Sequence, residues 1–212
     1  MMTNKFAFLE CTNLACGFRF PLDLILFKGE FCPRCGSALH LGSSQYEQWT
    51  PEWDCCGAVK LVGVLDNIRS AHNVGSIFRT AEAVCIRQLY LCGLTPVPED
   101  NRALAKAALG AENRVSWSPQ NNAVRLVTRM KAEGSQIIAL ECLPEAENIF
   151  ALKDAGPLPE KVAVVVGSEL AGIDPEILAL SDRKLYIPMA GKKSSINVAV
   201  AFGIAVYQLL HS

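Results

Sequence analysis

From Leu61 to the C-terminus, short apolar runs alternate with stretches of helical periodicity. The runs Leu61–Asp66, Gln88–Cys92, Arg114–Trp117, Gln136–Leu140, Lys161–Val166 and Lys184–Ile187 have the length and the aliphatic or β-branched content of strands. The segments at about 72–84, 101–109, 120–133, 174–181 and 195–210 read as helices. This alternation predicts an α/β domain, with a mostly parallel sheet and helices on both faces. Val162-Ala163-Val164-Val165-Val166 is apolar at every position, which predicts a central strand buried on both faces.

The N-terminal part has a different pattern. Cys11 and Cys16 are separated by four residues, Cys32 and Cys35 by two, and fifteen residues lie between the pairs. Gly17 and Gly36 each follow the second cysteine of a pair, where glycine lets backbone amides turn toward the sulfurs. Two such half-sites close on one Zn²⁺ as a tetrahedral thiolate site. A segment this short has little core of its own and needs such a staple. The spacing therefore predicts a small zinc-ribbon-like domain over 1–45, with structural Zn²⁺ on Cys11, Cys16, Cys32 and Cys35. The plainer alternative is four reduced thiols without metal. Residues 46–60 are polar and turn-rich and read as a linker, and 61–212 form the α/β domain. The adjacent Cys55 and Cys56 read as packing residues, and His40 as a surface residue.

Composition sharpens this only in places. The 212 residues suffice for one α/β domain and an appendage. No apolar run reaches the length of a membrane span, and Met1-Met2-Thr3-Asn4-Lys5 does not open a signal peptide, so a cytoplasmic protein is expected. The formal net charge of −1 gives no support for nucleic acid, and Lys192-Lys193 reads as a solvated turn. Nine cysteines, an odd number, argue against a disulfide framework. Cys85, Cys92 and Cys142 sit singly in apolar stretches and read as small core residues.

Three segments carry candidate chemistry, each at the carboxyl end of a predicted strand, where open α/β sheets gather ligands. The first runs from Asp66 through Asn73 to Arg79, two polar residues six apart and expected on a similar side of one helix. The second is Gly167-Ser168-Glu169-Leu170-Ala171-Gly172, followed by Asp174 as a helix cap and Pro175 as the first helical residue. Glycine at 167 is read as letting a ligand approach the backbone, with Glu169 facing it. The third is Ile187-Pro188-Met189-Ala190-Gly191, leading through Lys192-Lys193 into Ser195, Ile196, Asn197 and a long apolar helix. Taken singly, each is equally well a capped helix or a tight turn.

In this order the segments resemble the three motifs of the SpoU (TrmH-type) family of RNA ribose 2′-O-methyltransferases, within the SPOUT superfamily. Asn73 and Arg79 match Asn-x5-Arg; Gly167, Glu169 and Gly172 match Gly-x-Glu-x-x-Gly; and Ile187 to Val198 matches Ile-Pro-Met-x-Gly…Ser-Leu-Asn-Val, with Ile196 for leucine. The resemblance covers about residues 60–210. It implies a C-terminal deep trefoil knot that pattern reading alone would not propose. It further implies a homodimer, and a pocket for S-adenosylmethionine formed by Leu140, Glu141, Gly167, Ile187, Met189, Gly191 and Ile196. A ribose 2′-hydroxyl of tRNA or rRNA would be the methyl acceptor. The resemblance assigns Arg79 the base role, helped by substrate phosphate; because arginine stays protonated, a phosphate clamp is the alternative. Ser195 and Asn197 would position ribose or organise the pocket, and Asn73 and Glu169 would support Arg79 and the loops. The ribbon lies outside the common core and is expected to contact RNA through Arg19, Lys28 and Arg34.

Three further readings compete. A non-catalytic RNA-binding member would keep the fold without the full polar set. A dinucleotide-binding oxidoreductase would need Gly-x-Gly-x-x-Gly after the first strand, where this chain has Asn67-Ile68-Arg69-Ser70. A third view makes the ribbon a zinc-dependent interaction module.

Overall fold

The computed structural model describes residues 6–44, 59–154, 158–193 and 195–211. The predicted linker falls almost wholly outside them, as do Cys55 and Cys56. Two compact units emerge, Met1–Trp53 and Asp54–Ser212.

The N-terminal unit is a three-stranded antiparallel sheet of β1 (Phe6–Cys11), β2 (Arg19–Asp23) and β3 (Leu39–Ser44), in the order β2-β1-β3. Alternation along β1 buries Ala7, Leu9 and Cys11 on one face. Each cysteine pair sits on a tight backbone turn. Cys16 N and Gly17 N donate to Asn13 O, and Gly36 N donates to Cys32 O.

The larger unit carries seven strands in the order β6-β5-β4-β9-β7-β10-β8. They are β4 (Lys60–Asp66), β5 (Gln88–Cys92), β6 (Ser116–Gln120), β7 (Gln136–Leu140), β8 (Glu147–Asn148), β9 (Lys161–Val166) and β10 (Arg183–Tyr186). Every pairing among them is parallel. The helices are α1 (Ala71–Ala83), α2 (Arg102–Ala108), α3 (Ala123–Ala132), α4 (Pro175–Leu180) and α5 (Val198–Leu210). β9 lies between β4 and β7, buried from Val162 to Val166. Its even-numbered valines join a core with Val74, Phe78 and Leu104 from α1 and α2 and Phe202 and Val206 from α5. Ala163 and Val165 join a second core with Leu126 and Val127 of α3 and Ile177 of α4. The uninterrupted apolar run thus serves two helix layers at once. Among the described residues, no helix is long and apolar enough to cross a membrane.

Most boundaries shift by a residue or two, the helix read at 120–133 is α3 from Ala123, and two of the shifts have a clear physical cause. The strand expected at Arg114 begins at Ser116, because Arg114 N and Val115 N still donate to Ala111 O in a 3₁₀ turn. It then continues through Pro119, which an edge strand tolerates because one side of its ladder is open. α5 starts at Val198, with Asn197 as its cap, rather than at Ser195. Of the three cysteines read as core residues, only Cys92 is buried. Cys142 is exposed; Cys85 is exposed, disulfide-bonded and left-handed, with φ 55°.

The Phe202 ring is fully buried against Gly63, where a Cβ would stand 3.2 Å from its Cζ. Phe202→Ala removes a ring that a glycine-lined seat cannot refill. We expect it to cost the larger unit about 3–5 kcal/mol, read as a lower urea midpoint at unchanged slope.

Candidate active site

The site is built where the carboxyl ends of β4, β7, β9 and β10 release their loops. After β4 the chain turns through Asn67, at φ 57°. Asn67 N donates to Cys92 O, and its Oδ1 accepts from Leu94 N. Ile68 N donates to Thr95 Oγ1, whose hydroxyl donates to Leu65 O. These bonds clamp the turn to the segment following β5. Beneath it, Asp66 is buried; burial, and after it the Asp174 carboxylate, raises its pKa above the ordinary range. Burial and then Asp66 push the Cys92 thiol up to about 12, so it is a neutral packing group.

The clamped turn aims its amides at one carboxylate. Arg69 N and Ser70 N donate to Glu169 at 2.9 and 3.2 Å, and Asn73 Nδ2 donates to it at 2.8 Å. Ser70 also caps α1, its Oγ accepting from Asn73 N. Asn73 Oδ1 in turn accepts from Asn197 Nδ2 at 2.9 Å. Asn197 Oδ1 accepts from Ala199 N and Val200 N and so caps α5. One relay, Asn197 to Asn73 to Glu169, therefore joins residues 124 and 96 positions apart. Its polarity is fixed, because an ionised carboxylate only accepts. Partial burial works to raise the Glu169 pKa. The amides of Arg69, Glu169 itself and Ser70 and the Asn73 side chain outweigh it, so the carboxyl titrates below its ordinary range.

The Glu169 loop is closed on itself. Ser168 N donates to Gly172 O and Gly172 N to Ser168 O, at 3.0 and 2.9 Å. A Cβ on Gly167 would lie 2.3 Å from Gly172 O and 2.4 Å from Ile173 N. Glycine at 167 is therefore required by the closure of the loop. Gly172 supplies the left-handed corner at φ 73°. Glu141 ties the next loop in: its N donates to Leu185 O, and its carboxylate accepts from Ile173 N and Cys142 N.

Between these loops lies a cavity of about 730 Å³, in the range of sites for small ligands and cofactors. The structure brings Asn73, Leu140, Glu141, Gly167, Glu169, Ile187, Met189, Ser195, Ile196 and Asn197 to its wall. Leu178, Tyr186 and Cys142 also line it, and motif reading did not single them out. Their only sequence signal is position: Tyr186 and Cys142 flank motif residues, and Leu178 lies on α4, which packs against the end of β7. Gly191 and Arg79 do not line the cavity. Arg79 is exposed and lies in a shallower cleft of about 350 Å³ with Ser76, Thr80, Ala83 and Tyr207. Six helical residues advance about 600°, which sets Asn73 and Arg79 about 120° apart around α1 rather than on one side.

The N-terminal unit holds a second constellation. The sulfurs of Cys11, Cys16, Cys32 and Cys35 all lie within 4.8 Å of one another. Cys11 to Cys35 is 3.4 Å and Cys16 to Cys32 is 3.9 Å. Zn–S bonds of 2.3 Å give a tetrahedron with edges of about 3.8 Å, so the four thiols fit zinc in number, type and spacing. Arg19 is engaged elsewhere, bonded to Glu10 at 2.7 Å and to Ser43 at 3.1 Å.

Fold and site define an α/β protein with a cofactor-sized pocket walled by three loops at the ends of parallel strands. Residues 60–207 match the SpoU rRNA Methylase family, and the chain belongs to that family. It is 33% identical over 150 residues to a tRNA (guanosine(18)-2'-O)-methyltransferase of Aquifex aeolicus (strain VF5), covering 70% of this chain and 67% of that one. The crystal structure of the A. aeolicus TrmH/SpoU tRNA modifying enzyme superposes with a TM-score of 0.62 at 30% identity, over 71% of this chain and 74% of that one. An AdoMet-bound rRNA methyltransferase from Sinorhizobium meliloti gives 0.64 at 25%, over 71% and 55%. The chain spans between 56% and 67% of the length of the curated relatives it matches.

Because the folded-state pKa of Glu169 is depressed, its contribution to stability is complete above the unfolded value, about 4.3, and is lost as pH falls through the folded one. Glu169→Gln lacks this titration. The stability gap between wild type and Glu169→Gln should be constant from pH 8 to about 5 and shrink below about 4. A gap that widens on acidification would refute the assignment.

Proposed function

We propose that the protein transfers a methyl group from S-adenosylmethionine to a ribose 2′-hydroxyl of tRNA or rRNA. The observation that carries this reading is the Asn197–Asn73–Glu169 relay, which joins the three family motifs around the cavity. A dinucleotide-dependent oxidoreductase gains no support, since the turn after β4 is clamped by Asn67 and Thr95 side chains rather than opened by glycines.

The cavity fits the donor in size and lining. Leu140, Leu178, Ile187 and Ile196 offer apolar walls suited to a purine, and the loop backbones offer polar edges. Bound there, S-adenosylmethionine supplies a methyl group activated by its sulfonium charge. The chain's own task is to align the acceptor and accept its proton. The ribose oxygen forms its bond to the methyl carbon as the carbon–sulfur bond breaks, and S-adenosylhomocysteine leaves. Arg79 is an exposed cation without a hydrogen-bonding or ionic partner among the described residues. It suits a bidentate hold on an RNA phosphate, and a phosphate oxygen or water takes the hydroxyl proton. Ser195 lines the cavity and orients the ribose, while Asn197 holds Asn73 and the start of α5.

The chain is proposed to act as a homodimer, which exposed Val200 and Tyr207 on α5 support. The C-terminal segment is proposed to form the family knot, and the compartment is the cytoplasm. Zn²⁺ on Cys11, Cys16, Cys32 and Cys35 holds the N-terminal unit together, since among its described residues the only buried hydrophobic ones besides two of these thiols are Ala7 and Leu9.

Arg79→Ala should lower methyl transfer to bulk tRNA or rRNA at least a thousandfold, while binding of S-adenosylhomocysteine by calorimetry stays within twofold. Equal loss of both would remove Arg79 from the acceptor side. Purified protein should carry one zinc per chain by elemental analysis. Cys16→Ser should reduce that content and unfold the N-terminal unit, leaving S-adenosylhomocysteine affinity unchanged.

A further inference from the structure

Six of the chain's nine phenylalanines, Phe6, Phe8, Phe18, Phe20, Phe27 and Phe31, lie in the N-terminal unit, and none is buried. Phe8, Phe18 and Phe20 are half-buried, with Phe18 and Phe20 stacked on each other, whereas Phe6, Phe27 and Phe31 are exposed. Phe27 and Phe31 are the most open, at 58% and 67% exposure, and Ile25 and Leu26 beside them are at 71% and 69%. Contiguous apolar exposure of this kind marks a binding surface in a folded protein.

The segment that presents these side chains is held in shape. The buried Asp23 carboxylate accepts from Ile25 N and Leu26 N, and Phe27 N donates to Asp23 O. Gly29 seats the far end: a Cβ there would lie 2.6 Å from Leu9 Cδ1 and 2.9 Å from Leu22 Cδ2. Phe31 bridges to Ala38 just before the Cys32 turn. The finger is thus fixed at both ends, while its large side chains face water.

Charge identifies the occupant. Arg19 is paired with Glu10 on the exposed surface and offers less free charge than Lys28 and Arg34. Lys28 follows Phe27 directly and Arg34 lies three residues after Phe31; both are exposed and neither has an ion pair among the described residues. Aromatic faces alternating with free cations form a platform for unpaired nucleotides: bases stack on the rings and phosphates meet the cations. Two unpaired positive charges beside the exposed rings favour a polyanionic occupant, since each can neutralise a phosphate.

We propose that the finger from Leu24 to Arg34 is a second RNA contact, taking an unpaired stretch by stacking on Phe27 and Phe31 with Lys28 and Arg34 on the flanking phosphates. It rests on the reading that the protein acts on RNA. It lies outside residues 60–207, the part that matches the family. Its role is to select and hold the RNA, not to take part in methyl transfer.

The test uses the full-length protein and a fluorescein-labelled oligouridylate of about twelve nucleotides, with a duplex of equal length as control. Wild type should bind the single strand in fluorescence anisotropy. Phe27→Ser/Phe31→Ser should weaken that binding at least tenfold, with duplex binding and S-adenosylhomocysteine affinity unchanged. Phe27→Tyr/Phe31→Tyr should restore it. Zinc content and circular dichroism check folding; if the serine variant fails them, Lys28→Glu/Arg34→Glu decides by the same tenfold criterion. Unchanged single-strand affinity in folded variants overturns the proposal. So does a change in oligomeric state by sedimentation with RNA affinity retained, which would make the finger a protein-docking surface. Absent methyl transfer by wild type, with finger-dependent RNA binding intact, would count against the catalytic reading alone.

Discussion

Glu169 is an acceptor with no proton to give, and the geometry of the site follows from that. Two backbone amides of the β4–α1 turn and the Asn73 amide converge on it. Asn73 must therefore present its oxygen to Asn197, and Asn197 must use its own oxygen to cap α5. Each orientation is forced by the one before it. The start of α1, the loop after β9 and the start of α5 are thereby set relative to one another by three side chains. Without this relay the cavity would be three loops with independent freedom.

The larger unit was well legible because its sheet is parallel and central. β9 is buried on both faces, so its sequence cannot alternate, and the continuous run Val162–Val166 announces that placement. The edge was read less well. β6 contains Pro119, which looks like a terminator until the strand is known to have one free side. The helix caps at Ser70 and Asn197 also double as site residues. From sequence, capping and function looked like competing explanations, whereas here a single Asn197 side chain does both through its two amide atoms.

The reading of individual site residues depended on steric detail that sequence does not carry. Glycine at 167 invites the inference that a ligand needs room, yet the space is already taken by Gly172 O and Ile173 N. Asn73 and Arg79 share a helix and a motif, which suggests a shared side until the turn angle is counted. In the N-terminal unit, cysteine spacing foretold four convergent sulfurs, but a count of cations did not show that Arg19 is paired with Glu10 or that Ile25, Leu26, Phe27 and Phe31 stand exposed beside Lys28.

The separation of Arg79 from the cavity bears on how such a site would select its acceptor. α1 displays Asn73 toward the cavity and Arg79 toward a different cleft beside Tyr207 of α5. On the proposed reading, a ribose must reach the pocket mouth while its phosphate reaches around the helix. A free nucleoside has no phosphate with which to span that turn; a strand has several. Affinity for the methyl donor and competence toward RNA then reside on different faces of one helix, and damage to one need not disturb the other. On the same reading the N-terminal finger has a rationale: a chain of net charge −1 has little overall attraction for phosphates, and stacking adds affinity that does not depend on charge.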